Sequence, residues 1–178
     1  MRKKLSDTQY PVSTDSVLET PGSLETKLQE ALDDVEQMLV RETQTQRENT
    51  SELVSHLRAA GGKRMRPLLT LLISQLGAPD QPVSTQVKQA AVAVELTHLA
   101  SLYHDDLMDE ATVRRGVNAA HVQWTNTLAV MAGDLIFARA SLLVSALGPT
   151  IVAQHSQTFE RLCLGQMHDI FGPGCDDD

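Results

Sequence analysis

The amino-acid sequence predicts an all-α protein, organised as an antiparallel bundle of helices. Apolar residues recur at helical spacing in several long segments, and glycine or proline separates those segments. No segment alternates apolar and polar residues as a half-buried strand would, and no internal repeat is visible. Because only 3% of the residues are aromatic, leucine, valine and alanine must fill the core.

Local signals mark the ends of the expected helices. The segments with helical spacing are, in chain order, residues 24–39, 51–60, 67–77, 85–109, 122–148 and 150–171. Ser23 and Ser84 can cap the first and fourth helices, and Pro67 suits the first position of the third. The fifth segment contains a break near Asn126, and residues 110–121 are expected to form a loop.

The fourth helix is expected at the centre of the bundle. Its stretch AAVAVELTHLASLY, residues 90–103, is apolar nearly all round, which is typical of a helix surrounded by others. Gly61 and Gly62 end the second helix, and Gly148 followed by Pro149 ends the fifth.

Composition restricts the class and location of the protein. A formal net charge of -8 opposes nucleic-acid binding, because phosphate contacts need a dominant basic face. Cys163 and Cys175 lack the spacing of a metal site, which fits a reducing compartment. No apolar run approaches the roughly 18 residues of a membrane span, and no signal-peptide core follows the basic start. We therefore expect a cytoplasmic protein.

Acidic residues gather at the end of the central helix. Asp105 and Asp109 are four residues apart on one helix face, so their carboxylates repel unless a cation lies between them. Mg²⁺ prefers oxygen ligands and commonly binds one or two carboxylates plus substrate phosphates. Taken alone, a DDxxD pattern is more often a solvated helix end. Arg114 and Arg115 follow closely and favour a metal-bridged diphosphate, because guanidinium groups match phosphate oxygens.

The segment GGKRMRP, residues 61–67, forms a second candidate site for an anion. Lys63, Arg64 and Arg66 lie between two helices, beside glycines that allow close approach of a ligand. A positively charged turn between helices explains this heptapeptide equally well. Two basic groups and one acidic group together suggest two bound anions, of which one is held through a metal ion.

The segments GGKRMRP, HLASLYHDDLMDEATVRRG and LAVMAGDLIFA, in this order, resemble the trans-isoprenyl diphosphate synthases, the polyprenyl synthetase family. The resemblance covers residues of roughly 24 to 171. It implies a bundle of the isoprenoid synthase type, usually dimeric, in which residues 23–171 form the N-terminal part of the helical domain. It also implies Mg²⁺-dependent condensation of isopentenyl diphosphate with an allylic prenyl diphosphate into a longer all-trans polyprenyl diphosphate. Because that product is apolar, peripheral contact with a membrane is expected to be possible.

The resemblance also assigns roles to individual residues. The implied substrate-binding residues are Lys63, Arg66, His98, Arg114, Arg115 and Gln166, and the implied metal-binding residues are Asp105, Asp106, Asp109 and Asp169. Among them Asp105, Asp109 and Arg114 carry the catalysis. Ala100 and Ser101, deeper in the bundle, are too small to block a chain longer than farnesyl. Without the resemblance, His98 is more typical of a histidine packed in the core. Gln166 and Asp169 are equally typical of polar residues on a helix surface. Small residues such as Ala100 and Ser101 also occur wherever two helices cross closely.

The resemblance ends before the family's second aspartate-rich motif, so several accounts stay open. The bundle is apparently truncated, and the chain is a truncated synthase, a subunit completed by a partner, or a non-catalytic relative. A helical interaction module without catalysis is the alternative class, which predicts no effect of Mg²⁺ and diphosphate on thermal stability. Terpene cyclases share DDxxD but resemble GGKRMRP poorly. We expect residues 1–22 to be a disordered arm and residues 172–178 to be an acidic, solvated tail.

Overall fold

The structure is a computed structural model that describes residues 23–77 and 81–172. The elements within them are α1 Leu24–Thr43, α2 Glu48–Ala59, α3 Met65–Gly77, α4 Thr85–Met108, β1 Val113–Arg114, β2 Val117–Asn118, α5 Ala120–Gln123, α6 Asn126–Ser145 and α7 Pro149–Phe171. The prediction of an all-α bundle is confirmed. The predicted arm and, apart from Gly172, the predicted acidic tail lie outside the described residues.

Side-chain caps begin three of the helices. The hydroxyls of Ser23 and Ser84 accept hydrogen bonds from backbone N–H groups of their first turns at 3.2 and 3.3 Å. Thr125 caps α6 in the same way at 3.2 Å, which explains the break predicted near Asn126. Each cap satisfies a backbone N–H that the helix leaves without a partner.

Three helix starts differ from the prediction. Helix α2 begins at Glu48 rather than at residue 51, and α3 begins at Met65 rather than at Pro67. Helix α7 begins at Pro149, one residue earlier than predicted. Proline still lies within the first turn of α3, where its missing N–H group leaves no hydrogen bond unmade.

The segment predicted as a loop over residues 110–121 contains a hairpin and a short helix. Strands β1 and β2 pair antiparallel, with Val113 opposite Asn118. The sequence shows no alternating pattern here, because two-residue strands are too short to produce one. The Nε2 atom of His56 lies 2.7 Å from the carbonyl oxygen of Asn118, which holds the hairpin against α2. The hairpin turn consequently brings Arg115 beside α2, while Arg114 reaches Asp106 in α4.

Helix α4 occupies the centre of the bundle, as predicted, and packs against α1, α3 and α6. Val92, Leu96 and Leu99 are buried on its faces. The Tyr103 hydroxyl donates a hydrogen bond of 2.6 Å to the carbonyl oxygen of Leu53 in α2. Burial raises the pKa of Tyr103 to about 12, so this donor stays protonated at neutral pH.

Helix α6 is the main packing partner of α4 and is unusually apolar. In the described part of the chain, it is the one helix long and apolar enough to cross a membrane, with a mean hydropathy of 1.7. The sequence expectation of no such segment was therefore wrong. The core helix of a bundle can be equally long and apolar, and Ala129, Ile136 and Ala140 of α6 are fully buried.

Helix α7 rests on the bundle through its first half. Phe137 of α6 contacts Phe159, with ring centroids 4.0 Å apart, and stacks on His155 at 5.7 Å. The His155 ring also lies within 2.9 Å of the Thr97 hydroxyl in α4. None of the residues of α7 is buried. The second half of the helix borders an open cleft beside α4.

Candidate active site

The last turn of α4 carries an acidic pair at the edge of this cleft. Asp105 is half-buried and lines the cleft, and Asp109 is the exposed C-cap of the helix. Burial and, next, the charge of Asp109 raise the pKa of Asp105, while Arg114 lowers it. A cation near these two carboxylates would relieve both the burial of charge and the repulsion.

Asp106 has a different environment from its two neighbours in the motif. It is 1% exposed, its Oδ1 atom accepts a hydrogen bond of 2.5 Å from Nε of Arg114, and the same oxygen forms an ion pair with Nη2 of Arg114 at 2.5 Å. Its Oδ2 atom is buried without a hydrogen-bond partner. Asp106 therefore acts as the counterion of Arg114 in this state, and its predicted role as a metal ligand stays a prediction.

The predicted set of four aspartates is not assembled into a metal site. Across residues 23–77 and 81–172, no three His, Cys, Asp or Glu side chains are grouped to hold a metal ion. Asp169 is exposed in α7 and does not border the cleft, whereas Gln166 does. The carboxylates of Asp105 and Asp109 still fit Mg²⁺, which commonly takes one or two protein carboxylates and completes its shell with water and phosphate.

The basic turn, residues 61–66, forms the second part of the site. Lys63 and Arg66 are exposed, and neither makes an ion pair or side-chain hydrogen bond with another described residue. Arg115 reaches this turn from the hairpin, because its Nη1 atom donates to the carbonyl oxygens of Leu57, at 2.9 Å, and Gly61. The basic turn and the segment that carries Arg114 and Arg115, both predicted from sequence as anion-binding, therefore meet.

His98 lies among these cations. Burial, and then the charges of Arg66, Arg115 and Arg114, lower the pKa of His98 to about 4. The imidazole is therefore neutral at neutral pH and adds no positive charge to the cluster. The charges of Arg66, Arg114 and Arg115 therefore all reach His98, and the assignment of these residues to diphosphate binding stays a prediction.

An apolar cleft of about 420 Å³ opens beside Asp105. Its walls are contributed by α4 and α7, with Val130 from α6. The apolar residues of α4 and α7 that line it are Leu107, Met108, Phe159, Leu162, Met167 and Ile170. Ser101 borders the cleft, but Ala100 is 2% exposed and belongs to the packed core. Of the two residues assigned to chain length, Ser101 alone faces space that a ligand could fill.

A close contact between α4 and α6 supports the acidic turn, which is the last turn of α4 with Asp105 and Asp109. This contact was not predicted from the sequence. The Nε2 atom of His104 lies 3.1 Å from the carbonyl oxygen of Val130 and 3.5 Å from Oδ1 of Asp134. A Cβ atom on Gly133 would overlap the His104 ring. The segment AGDL contains both Gly133 and Asp134, but nothing in its spacing indicates a partner in α4.

Known proteins resemble this chain over most of its length. The polyprenyl synthetase family profile matches residues 47–178. A nonaprenyl diphosphate synthase of Mycobacterium tuberculosis is 47% identical over 138 residues, which are 78% of this chain and 41% of the relative. Component 2 of the heptaprenyl diphosphate synthase of Geobacillus stearothermophilus is 38% identical over 76% of this chain and 42% of its own length.

The fold also matches solved structures. A geranylgeranyl pyrophosphate synthase from Corynebacterium glutamicum, complexed with calcium and isoprenyl diphosphate, superposes with a TM-score of 0.73 at 43% identity. The match covers 84% of this chain and 45% of that structure. This chain therefore spans less than half the length of these three relatives.

Proposed function

The chain belongs to the polyprenyl synthetase family, and from that premise we propose that it takes part in condensing isopentenyl diphosphate with an allylic prenyl diphosphate into a longer all-trans polyprenyl diphosphate. One observation carries the proposal: an acidic pair, a cluster of cations and an apolar cleft meet at the end of α4. Two diphosphate groups and a prenyl tail need these three environments. The related synthases named above support the same reaction class.

The acidic pair is the proposed metal-binding part of the site. Asp105 and Asp109 would each offer carboxylate oxygens to Mg²⁺, and the calcium in the C. glutamicum structure supports a divalent ion. When bound, Mg²⁺ would neutralise negative charge on the departing diphosphate. The raised pKa of Asp105 is consistent with a carboxylate that is stabilised once a cation is present.

The cations are proposed to hold the two diphosphates. Lys63, Arg66 and Arg115, with neutral His98, would bind isopentenyl diphosphate. Lys63 and Arg66 are exposed and available to an anion, and Arg115 reaches the same turn from the hairpin. Arg114 would bind the allylic diphosphate through its remaining Nη1 atom while Asp106 holds the other side of its guanidinium. Asp106 thereby orients Arg114.

The cleft is proposed to receive the growing prenyl chain. Its apolar walls would remove a hydrocarbon tail from water, which is favourable by about 0.8 kcal/mol for each buried methylene group. Ser101 is small, so it takes up little of the cleft that it lines. We therefore infer a product longer than farnesyl.

A second candidate function is that of a subunit completed by another polypeptide. Two observations favour it: one relative is named as component 2 of a synthase, and large apolar side chains of α7 are exposed, such as Phe171 at 69%. A homodimer or a different completing subunit would cover such surface. We propose a cytoplasmic assembly that contacts membranes through its product.

The test combines product formation with ligand-dependent stability. The purified chain is incubated with Mg²⁺, labelled isopentenyl diphosphate and an allylic diphosphate, and extracted prenyl products are sized. We expect any product to be lost in Asp105→Asn and retained in Asp33→Asn, an exposed carboxylate on α1. Mg²⁺-dependent thermal stabilisation by diphosphate without product would support the subunit function. Absence of both signals would refute the two functions.

A further inference from the structure

Arg64 differs from its exposed neighbours in the basic turn. Its side chain is 15% exposed, and its Nε and Nη2 atoms donate to the two carboxylate oxygens of Glu36 in α1, at 2.8 and 3.2 Å. Its Nη1 atom donates to Glu95 in α4 at 3.2 Å. Arg64 is therefore already occupied by protein groups and bridges two helices from the turn.

Glu95 is the buried anion of this bridge. Its side chain is 3% exposed, and Arg64 is its only ion-pair partner in the described part of the chain. Burial raises the pKa of Glu95, whereas the positive charges of Arg64, Arg115 and Arg66 lower it. Glu95 thus lies within electrostatic reach of three cations that would otherwise repel one another.

The basic turn and the hairpin turn that carries Arg115 each contain a non-glycine residue with an unusual backbone conformation. Arg64 has a φ of 48° and Arg115 a φ of 53°, both in the left-handed region. A Cβ atom on Gly62 would lie 3.1 Å from both guanidinium groups, so the turn passes closely between them. Strained conformations of this kind persist where surrounding contacts determine them, and the Arg64 bridge supplies such contacts.

We infer that Arg64 and Glu95 are positioning residues, which fix the basic turn so that Lys63 and Arg66 face one diphosphate together. The inference rests on the proposed function, because it assumes that these exposed cations bind an anion. Without the bridge, the turn after Gly61 and Gly62 could adopt many conformations, and the anion would have to order it upon binding.

An electrostatic role and a positioning role of Glu95 predict opposite changes in diphosphate affinity when its charge is removed. A negative charge near an anion site opposes binding, so electrostatics alone predicts tighter binding by Glu95→Gln. If Glu95 instead holds the turn through Arg64, the same change weakens binding. The sign of the effect therefore separates the two explanations without assuming its size.

The experiment is a calorimetric titration of the whole chain with inorganic diphosphate in EDTA, which leaves the metal-dependent site inactive. It is made well below the Tm of every variant, and circular dichroism confirms that each variant is folded. We expect Glu95→Gln and Arg64→Lys to bind about 10-fold more weakly than the unmodified chain, a loss typical of a disturbed orienting contact. Asp34→Asn, which removes an exposed acid on α1 paired with Lys88, should bind as the unmodified chain does.

Each outcome decides between the proposals. Tighter or unchanged binding by Glu95→Gln would overturn this inference while leaving the proposed function intact. No binding by the unmodified chain would also overturn this inference, whereas the proposed function is decided by the product and stability assays with Mg²⁺. Should Glu95→Gln fail to fold, Glu36→Gln gives the same sign test at a carboxylate that is 41% exposed. A role confined to stability would lower the Tm of these variants without changing the affinity of the folded protein.

Discussion

Asp105 occupies a position where its own charge destabilises the fold when no cation is present. Burial and the neighbouring Asp109 raise its pKa, so the folded protein retains this proton to a higher pH than the unfolded chain. The destabilisation therefore grows as pH rises from the unfolded pKa to the folded pKa and is complete above the latter. Below the unfolded pKa it disappears. A cation bound beside the carboxylate would relieve this destabilisation.

Neutralising Asp105 should therefore stabilise the protein while removing a proposed ligand. We expect Asp105→Asn to raise the Tm at neutral pH in EDTA by about 1–2 °C, from relief of roughly 0.5 kcal/mol of repulsion across one helical turn. The gain should vanish in acid, where Asp105 is protonated. Differential scanning fluorimetry measures both, with exposed Glu110→Gln as control. A lower Tm for Asp105→Asn at neutral pH would contradict this account.

Between elements, the contact of α4 with α6 determines where the acidic turn lies. Gly133 leaves room for the His104 ring, whose Nε2 atom approaches the Val130 carbonyl oxygen in α6. Because His104 immediately precedes Asp105 in sequence, this contact also fixes the carboxylate relative to the cleft. A glycine inside a helix is otherwise unfavourable, so its presence here has a packing reason.

Two glycines in neighbouring helices provide a matched test of this contact. Gly133→Ala should destabilise the protein by about 1–3 kcal/mol, because the added methyl group displaces the His104 ring. Gly165→Ala in α7 meets no neighbour within 4 Å and should stabilise by about 0.4–1 kcal/mol. Urea denaturation followed by circular dichroism measures both changes. Equal effects of the two substitutions would show that the contact is unimportant.

At the scale of the whole molecule, apolar surface is distributed unevenly. Five large apolar side chains lie along one exposed stripe of α3, at Met65, Leu69, Leu72, Ile73 and Leu76. Leu76 is 82% exposed, although such residues usually lie inside a folded protein. A continuous apolar stripe of this kind favours association with another protein surface.

We expect the isolated chain to self-associate through this α3 stripe. Ile73→Lys should weaken association about 10-fold, because burial of an isoleucine side chain contributes roughly 1.5–3 kcal/mol. Sedimentation velocity over a range of concentrations measures the association, and an unchanged Tm shows that the fold is intact. Gln86→Lys adds the same charge on exposed α4 surface and should have little effect. Equal weakening by both variants would indicate a general charge effect.

Most helices and the acidic pair could be predicted because their signals are local. Backbone hydrogen bonding repeats every few residues, so apolar spacing and the caps at Ser23 and Ser84 identified helices directly. The same periodicity predicted that Asp105 and Asp109 share a helix face. The family motifs then identified the polyprenyl synthetase family from short segments of sequence.

Tertiary structure alone decided which of the charged residues are available to a ligand. Asp106 and Asp105 are adjacent in sequence, yet one is buried against Arg114 and the other faces the cleft. Arg64 is bound by Glu36 and Glu95, while its neighbours in the basic turn are exposed. Local periodicity cannot predict these differences, because each partner lies on another element and the side chains meet only when those elements pack.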